Sequence, residues 1–277
     1  MTTTDTARLV LPDFDAIKTK QRSAWSSGDY ARIGSTLQLT GEELAEALDL
    51  PPNERVLDVA AGNGNITMAL ARRFCDVTST DYSDVLIERG RQRAEAEGFF
   101  VEFRRADAEA LPFDDGAFDA VVSTFGVMFT PDQDAAVAEL LRVCRSGGKI
   151  GLANWTPDSF IGQLFRVIGR HVPPPAGVSS PALWGDALWL DERFGARAEH
   201  IAIERKSFAF RYPSPDSFVE YFRSYYGPVE RAFAALPKDG QAALEADILG
   251  LIARFDRGEG GAMHVPGDYL EVVITRR

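Results

Sequence analysis

Apolar and polar positions fall into alternating blocks from residue 55 onward, and the blocks carry two different periods. The run VLDVA at 56–60 is apolar on both faces apart from Asp58, as expected of a strand buried on both sides. Gly62 and Gly64 follow as a turn, and Ile66, Ala69, Leu70 and Phe74 then recur at helical spacing. Residues 77–80 predict a second strand closed by Asp81, and Ser83 is placed to cap a helix running to about Glu97. Residues 99–104 and 118–123 predict the third and fourth strands. Thr130 and Pro131 read as an N-cap and first helical residue, with Val137, Leu140, Leu141 and Cys144 on the buried face of that helix. Gly147 and Gly148 end it, and 149–155 predict a fifth strand. Apolar strands separated by amphipathic helices predict an α/β fold, a doubly wound, mostly parallel open sheet covered on both faces. Its ligand belongs at the carboxyl ends of the strands.

The flanks read differently. Residues 1 to about 12 predict a loose tail, and 13–30 a helix and a turn at Ser26-Ser27-Gly28. Thr40-Gly41-Glu42-Glu43 matches a capping box, before a helix carrying Leu44, Ala47 and Leu48 that Pro51 and Pro52 stop. Beyond Trp155, 160–168 predict a helix, 173–181 a stiff connection, and 187–194 a helix stopped by Gly195. Residues 201–212 alternate like an exposed strand, 214–236 predict an aromatic-rich helix bent at Pro228, and 241–255 an amphipathic helix. Residues 258–261 predict a flexible link to a last strand at 269–275. The expected divisions are an N-terminal helical lid segment at 1–50, a core at 51–155, acceptor-side cap insertions at 156–268 that include the strand at 201–212, and the final strand at 269–277.

Composition narrows the partners. With 41 acidic and 30 basic side chains among 277 residues, the chain carries a formal charge of −11, which disfavours nucleic acid and anionic membrane surfaces. Two cysteines, Cys75 and Cys144, are too few for a disulfide scaffold or a thiolate metal site, so no metal is expected. The histidines His171, His200 and His264 are scattered. The N-terminus lacks the pattern of a signal peptide and no apolar run has the length of a membrane span. A reduced, soluble, cytoplasmic protein, monomeric or homodimeric, is the expectation.

Candidate chemistry concentrates in VLDVAAGNGN, 56–65. Without a Cβ, Gly62 and Gly64 let the backbone approach a ligand at a helix N-terminus. A tight turn with no ligand is the plain alternative, but Asp58 within an apolar strand needs a donor or a cation. A dinucleotide fingerprint starting at Gly62 requires glycine at 67, where the chain has Thr67. S-adenosylmethionine has no pyrophosphate, and its ammonium group suits an acidic residue ahead of the turn. Asp81 is placed to accept ribose hydroxyls of either cofactor. Asp107 and Ala108, after the third strand, could meet an adenine amino group and ring nitrogen.

These strings, with VTSTDYS at 77–83, RRADAEALPFDDGAFDAVVSTFGVMF at 104–129 and ELLRVCRSGGKIGLANW at 139–155, resemble the class I S-adenosylmethionine-dependent methyltransferases. The resemblance is closest to the type-11, ubiquinone/menaquinone-biosynthesis-like group, and the whole layout is similar to small actinobacterial members of undefined acceptor. It implies a seven-stranded Rossmann-like sheet with an antiparallel last strand and a helical cap. The family's D-x-G-x-G-x-G falls on Asp58, Ala60, Gly62 and Gly64, with Ala60 in place of the first glycine. The resemblance further implies that Asp58 faces the methionine amino group, Asp81 the ribose, and Tyr82, Asp107 and Ala108 the adenine. Ser123, Thr124 and Phe125 would border the transferring methyl. It also implies free, buried thiols at Cys75 and Cys144.

The implied reaction is in-line methyl transfer to a small-molecule acceptor, with S-adenosylhomocysteine as product. The acceptor pocket is expected from Arg22, Trp25 and Tyr30, with Trp25 against the cofactor. The aromatic set Phe218, Tyr221, Phe222, Tyr225 and Tyr226 reads first as core packing, with an acceptor pocket as the alternative that its polar tips allow and to which Trp155, Trp184 and Trp189 could add apolar wall. His264, in a glycine-flanked loop, is the candidate base. A non-catalytic S-adenosylmethionine-binding regulator is the alternative, and a nicotinamide-dependent oxidoreductase a third reading that Thr67 opposes.

Overall fold

The computed structural model describes residues 12–277, so the expected N-terminal tail lies almost entirely outside the described residues. Three helices lead in: α1 (Phe14–Ser27), α2 (Tyr30–Thr36) and α3 (Gln38–Leu48). The alternating core follows as β1 (Arg55–Val59), α4 (Asn65–Ala71), β2 (Asp76–Asp81), α5 (Asp84–Glu97), β3 (Glu102–Arg105), β4 (Phe118–Thr124), α6 (Gln133–Val143) and β5 (Cys144–Trp155). Next come α7 (Phe160–His171), α8 (Ala187–Phe194), β6 (Ala198–Tyr212), α9 (Pro215–Tyr225), α10 (Gly227–Ala235), α11 (Lys238–Phe255) and β7 (Met263–Arg276).

The strands form one seven-stranded sheet in the order β3-β2-β1-β4-β5-β7-β6. β1 to β5 are mutually parallel, and β7 runs antiparallel between β5 and β6. The order reverses between β1 and β4, so their carboxyl ends open the crevice where such sheets take ligands. The central strands are apolar because helices cover both faces: Val56, Leu57, Val59, Ala120, Val121, Val122, Ile150 and Leu152 are all buried. Both thiols, Cys75 and Cys144, are free and buried.

Several local expectations are corrected. Thr40 is not an N-cap: α3 starts earlier, at Gln38, and the Thr40 hydroxyl turns back to the Leu37 carbonyl at 2.7 Å. The Glu43 side chain, inside α3, does not reach back to the helix start but accepts from the Tyr269 hydroxyl. Phe74 is not on the buried face of α4, because the helix closes at Ala71 and Phe74 turns outward with φ 61° and 72% exposure. The cap of α6 is Asp132, which accepts from the Ala135 N–H at 3.0 Å, while Thr130 closes a 3-10 turn at Val127–Phe129. Cys144 heads β5 rather than lining α6. Residues 214–236 form two helices, broken at Tyr226, with Pro228 in the first turn of the second.

The last strand begins at Met263, not Tyr269. Tyr269 pairs with Trp155, the final residue of β5, so residues 263–268 of β7 run past the end of β5, paired only with β6. That two-stranded extension carries His264 away from the crevice between β1 and β4.

Candidate functional site

The site starts at the end of β1. Ala60 has φ 52°, Gly62 φ 59° and Gly64 φ 81°, so the chain coils back on itself before entering α4. The Ala61 N–H donates to the Thr80 carbonyl at 2.9 Å, tying the turn to β2. The Gly62 N–H donates to Asp81 Oδ2 at 3.0 Å and the Ser83 N–H to Asp81 Oδ1 at 2.8 Å. Each oxygen of Asp81 is thereby held by one backbone donor, and its remaining lone pairs are free to accept from a ligand. A Cβ on Gly62 would come within 3.1 Å of the Tyr30 ring, so glycine here keeps a narrow space between turn and lid.

Asp58 lies beneath this turn, fully buried. Its Oδ2 accepts from the Thr67 hydroxyl, which also lies 3.0 Å from the Ser79 hydroxyl, while its Oδ1 has no partner among the described residues. Thr67 thus occupies the place of a third glycine with a polar task of its own. Burial pushes the Asp58 carboxyl up to about 7, against the pull of the Thr67 hydrogen bond and with added repulsion from Asp81. Burial likewise raises Asp81 to about 6, although its backbone donors oppose the shift.

Above the turn is a cleft holding about 810 Å³ of empty space, open solvent included. Its floor and far end are built by Ala60, Gly62, Asp81, Tyr82, Asp107 and Ala108. Thr124, Phe125 and Gly126 form the wall after β4, and Trp25 closes from α1. Asp58, Gly64 and Ser123 do not line it. Ser123 braces the backbone instead, donating to the Val59 carbonyl at 2.7 Å and accepting from the Val127 N–H at 3.2 Å.

Phe125 has φ 58°, and its ring stacks on Trp155 with centroids 4.1 Å apart. The neighbouring Gly126 lies against the turn: a Cβ there would fall 2.1 Å from the Ala60 carbonyl oxygen.

The lid residues were only partly foreseen. Lys18, Gln21 and Trp25 share one face of α1 and all line the cleft. The Lys18 ammonium reaches Asp107 at 2.8 Å and Glu109 at 2.9 Å. Burial alone would lower the Lys18 pKa, but these two hydrogen-bonded carboxylates outweigh it and hold it above its ordinary value. Trp25 packs edge-on against Tyr30, Phe129 and Tyr226, with centroid distances of 5.4, 5.0 and 5.6 Å. Among the described residues, Asp81, Asp107 and Glu109 give the cleft three acidic side chains against one lysine, a field that favours a cationic ligand.

Other expected residues lie elsewhere. Trp155, Trp184, Trp189, Phe218 and Phe222 are buried in the core and do not face the cleft, and Tyr221, Tyr225 and Arg22 do not line it either. Tyr226 packs behind Trp25 and Tyr30, which line the cleft. His264 is not at its mouth; with Arg211, Tyr212 and Arg257 it borders a separate, open hollow at the β6–β7 extension. His171 pairs with Asp247 at 2.9 Å, and His200 sits on the edge strand β6. Among the described residues no group of three or more His, Cys, Asp or Glu side chains could hold a metal ion.

Residues 57–152 match the family model for a methyltransferase domain. The chain is 36% identical over 164 residues to the demethylmenaquinone methyltransferase of Thermus thermophilus, covering 58% of this chain and 74% of that protein. It belongs to the class I S-adenosylmethionine-dependent methyltransferases. This methyltransferase is also 38% identical over 242 residues to an uncharacterized protein of Mycobacterium tuberculosis, covering 86% of this chain and 88% of that one. Among solved structures, the YcgJ protein of Bacillus subtilis superposes with a TM-score of 0.59 at 19% identity, over 86% of this chain and 99% of that one, a likeness of fold. The methyltransferase turn is the Asp58-to-Gly64 segment just described, and its Ala60 adopts the left-handed conformation that a glycine would take. Among the described residues, no helix of the methyltransferase is long and apolar enough to cross a membrane.

Proposed function

We propose that the cleft binds S-adenosylmethionine and that the enzyme passes its methyl group to a small-molecule acceptor. The observation that carries this reading is Asp81, only 5% exposed, each oxygen fixed by a backbone N–H and the carboxylate bordering the cleft. A carboxylate so held is preorganised to accept from the paired hydroxyls of a ribose. Asp107 and Ala108 lie at the same end, where an adenine amino group and ring nitrogen would find an acceptor and a donor. The acidic lining suits an amino acid that carries a sulfonium and an ammonium, and Asp58, buried beneath the turn, adds to that field when ionised without reaching the ligand.

Bound there, the cofactor would supply an electrophilic methyl: the acceptor's electron pair takes the methyl carbon as the carbon–sulfur pair returns to sulfur, and any acceptor proton passes to water. The leaving group is good, so the protein's task is alignment, for which about 7–11 kcal/mol is attainable. Trp25, Tyr30 and Phe129 supply rigid aromatic surface for it, and among the described residues the carboxylates on the cleft are those assigned to the cofactor's end or paired with Lys18.

Calorimetric titration with S-adenosylhomocysteine tests the cofactor assignment. The wild-type protein should bind it, and Asp81→Ala should weaken binding by roughly 10- to 100-fold, the loss expected when charge-assisted hydrogen bonds disappear. An unchanged affinity in Asp81→Ala would refute the assignment. Transfer of labelled methyl across a panel of phenols, amines and quinones tests catalysis; intact cofactor binding with no transfer to any of them would favour a non-catalytic binding protein.

A further inference from the structure

Three rings border the cleft: Trp25 of α1, Tyr30 of α2 and Phe129 beyond β4. Each is only partly buried and keeps surface open there. Tyr30 and Phe129 stand steeply to Trp25, at 89° and 68° with centroids 5.4 and 5.0 Å away, so the rings form walls rather than a stack. Elsewhere the chain lays its own arginines over aromatic rings, Arg32 over Tyr225 at 4.7 Å and Arg193 over Trp189 at 4.1 Å. Among the described residues no such cation lies over Trp25, Tyr30 or Phe129. Rings of this kind within an acidic lining attract a ligand cation.

Among the described residues the cleft also offers no side chain placed to take a proton early. No histidine lines it, Asp81 is held by two backbone donors, and Asp107 and Glu109 share Lys18. Burial, with the Asp81 charge nearby, pushes the Tyr30 hydroxyl up to about 12, so it stays protonated at neutral pH.

We propose that the methyl acceptor is an amine, whose neutral nitrogen attacks the sulfonium methyl and whose resulting ammonium is held by Trp25, Tyr30 and Phe129. This rests on the methyltransferase reading above and names its acceptor class. The nitrogen lone pair forms the new carbon–nitrogen bond, and the carbon–sulfur pair returns to sulfur. The positive charge thus passes from sulfur to nitrogen, and the same acidic, aromatic surroundings suit it before and after. A tertiary amine has no proton to lose; a primary or secondary one gives its proton to water after the transfer. A phenolate would bring an anion into an acidic field, and a neutral phenol needs the early proton removal that this lining does not supply. A carboxylate or phosphate acceptor would find Lys18, the one lysine on the cleft, already paired.

Two measurements on the full-length protein test this. The first is NMR titration, at saturating S-adenosylhomocysteine, with choline and its uncharged carbon isostere 3,3-dimethylbutan-1-ol. The wild-type complex should prefer choline by about 3- to 30-fold, the range of a cation over aromatic faces. Trp25→Leu and Phe129→Leu should each reduce that preference, Trp25→Phe should keep most of it, and thermal unfolding reports whether each variant is folded. No preference for choline in the wild type, or one unchanged in both folded leucine variants, overturns the proposal. The second is labelled-methyl transfer across the panel of phenols, amines and quinones. Amines should lead in kcat/KM by about 100-fold, the low end of what a missing base costs a phenol. A phenol or quinone in the lead overturns the proposal and leaves the methyltransferase reading standing. Transfer to none of them, or failure to bind S-adenosylhomocysteine, brings down that reading and this proposal with it.

Discussion

The Lys18 ammonium of α1 lies 2.8 Å from the Asp107 carboxylate just past the end of β3, so the lid is tied to the carboxylate proposed for adenine. The other Asp107 oxygen accepts from the Glu109 N–H at 3.0 Å, and Glu109 in turn receives Lys18. Lid position and the adenine end of the cleft therefore share one polar network. Further along α1, the Ser26 and Ser83 hydroxyls meet at 3.0 Å, placing a second tie next to Asp81.

Removing the Lys18 charge should loosen the lid. Lys18→Met is expected to raise the dissociation rate of S-adenosylhomocysteine by roughly 5- to 100-fold in stopped-flow displacement, matching about 1–3 kcal/mol for charged hydrogen bonds in a partly buried pair. The Lys18 side chain is 20% exposed and Glu109 5%, so added salt should reproduce little of the effect. Identical dissociation rates in the two proteins would show that the pair does not hold the lid.

Asp58 and Asp81 set a pH dependence with a definite sign. Their carboxyl pKa values rise from 3.8 to about 7 and about 6 in the fold, chiefly by burial. Between the unfolded and folded values the native state binds more protons, so their contribution is fully present below 3.8 and is lost as pH rises toward 6 and 7. Asp58→Asn should therefore stabilise the ligand-free protein at pH 8 by about 1–3 kcal/mol and flatten its stability between roughly pH 4 and 7. Urea unfolding at several pH values measures both. Binding of a cation-bearing cofactor favours the ionised forms, so wild-type affinity for S-adenosylmethionine should fall as the pH drops below 6.

The strands of the sheet were legible because each is a short apolar run buried on both faces, a pattern that depends on sequence neighbours alone. The turn was legible for the same reason: Asp58, Gly62 and Asp81 are each anomalous or diagnostic in their local context. The lid face was not. Lys18 and Gln21 look like the solvated side of a charged helix, and what gives them a task is Asp107, Glu109 and Phe129, far along the chain. Glu109 carried no signal either, since its burial depends on that same lysine. His264 was misplaced because nothing local reveals that β7 outruns β5, beyond the pairing of Tyr269 with Trp155. The aromatic stripe of α9 has helical spacing whether it lines a core or a pocket, and Phe218 stacked on Phe222 at 4.0 Å shows it lining a core.

His264 borders a separate hollow, so no part in methyl transfer is expected of it. His264→Gln should leave kcat/KM within about twofold of wild type, since surface substitutions away from a site change stability by only about 0.5 kcal/mol. A loss of tenfold or more in kcat/KM, with cofactor affinity retained, would return the residue to the site.

Ala60 and Gly126 approach each other too closely to admit a side chain between them, and they make a stability prediction. Ala60 is held at φ 52°, a conformation that costs an L-residue about 1–2 kcal/mol, and its own methyl would sit 2.7 Å from a Cβ placed on Gly126. Gly126→Ala should destabilise the protein by about 2–4 kcal/mol and weaken S-adenosylhomocysteine binding, because the turn and the β4 wall must move apart. Removing the opposing methyl should not cure this. The atom nearest the new Cβ is the Ala60 carbonyl oxygen, at 2.1 Å, and it belongs to the backbone. The double variant Ala60→Gly/Gly126→Ala is therefore expected to stay within about 1 kcal/mol of Gly126→Ala in urea unfolding. Full recovery in the double variant would show that the methyl, and not the main chain, sets the spacing between β1 and β4 at this cleft.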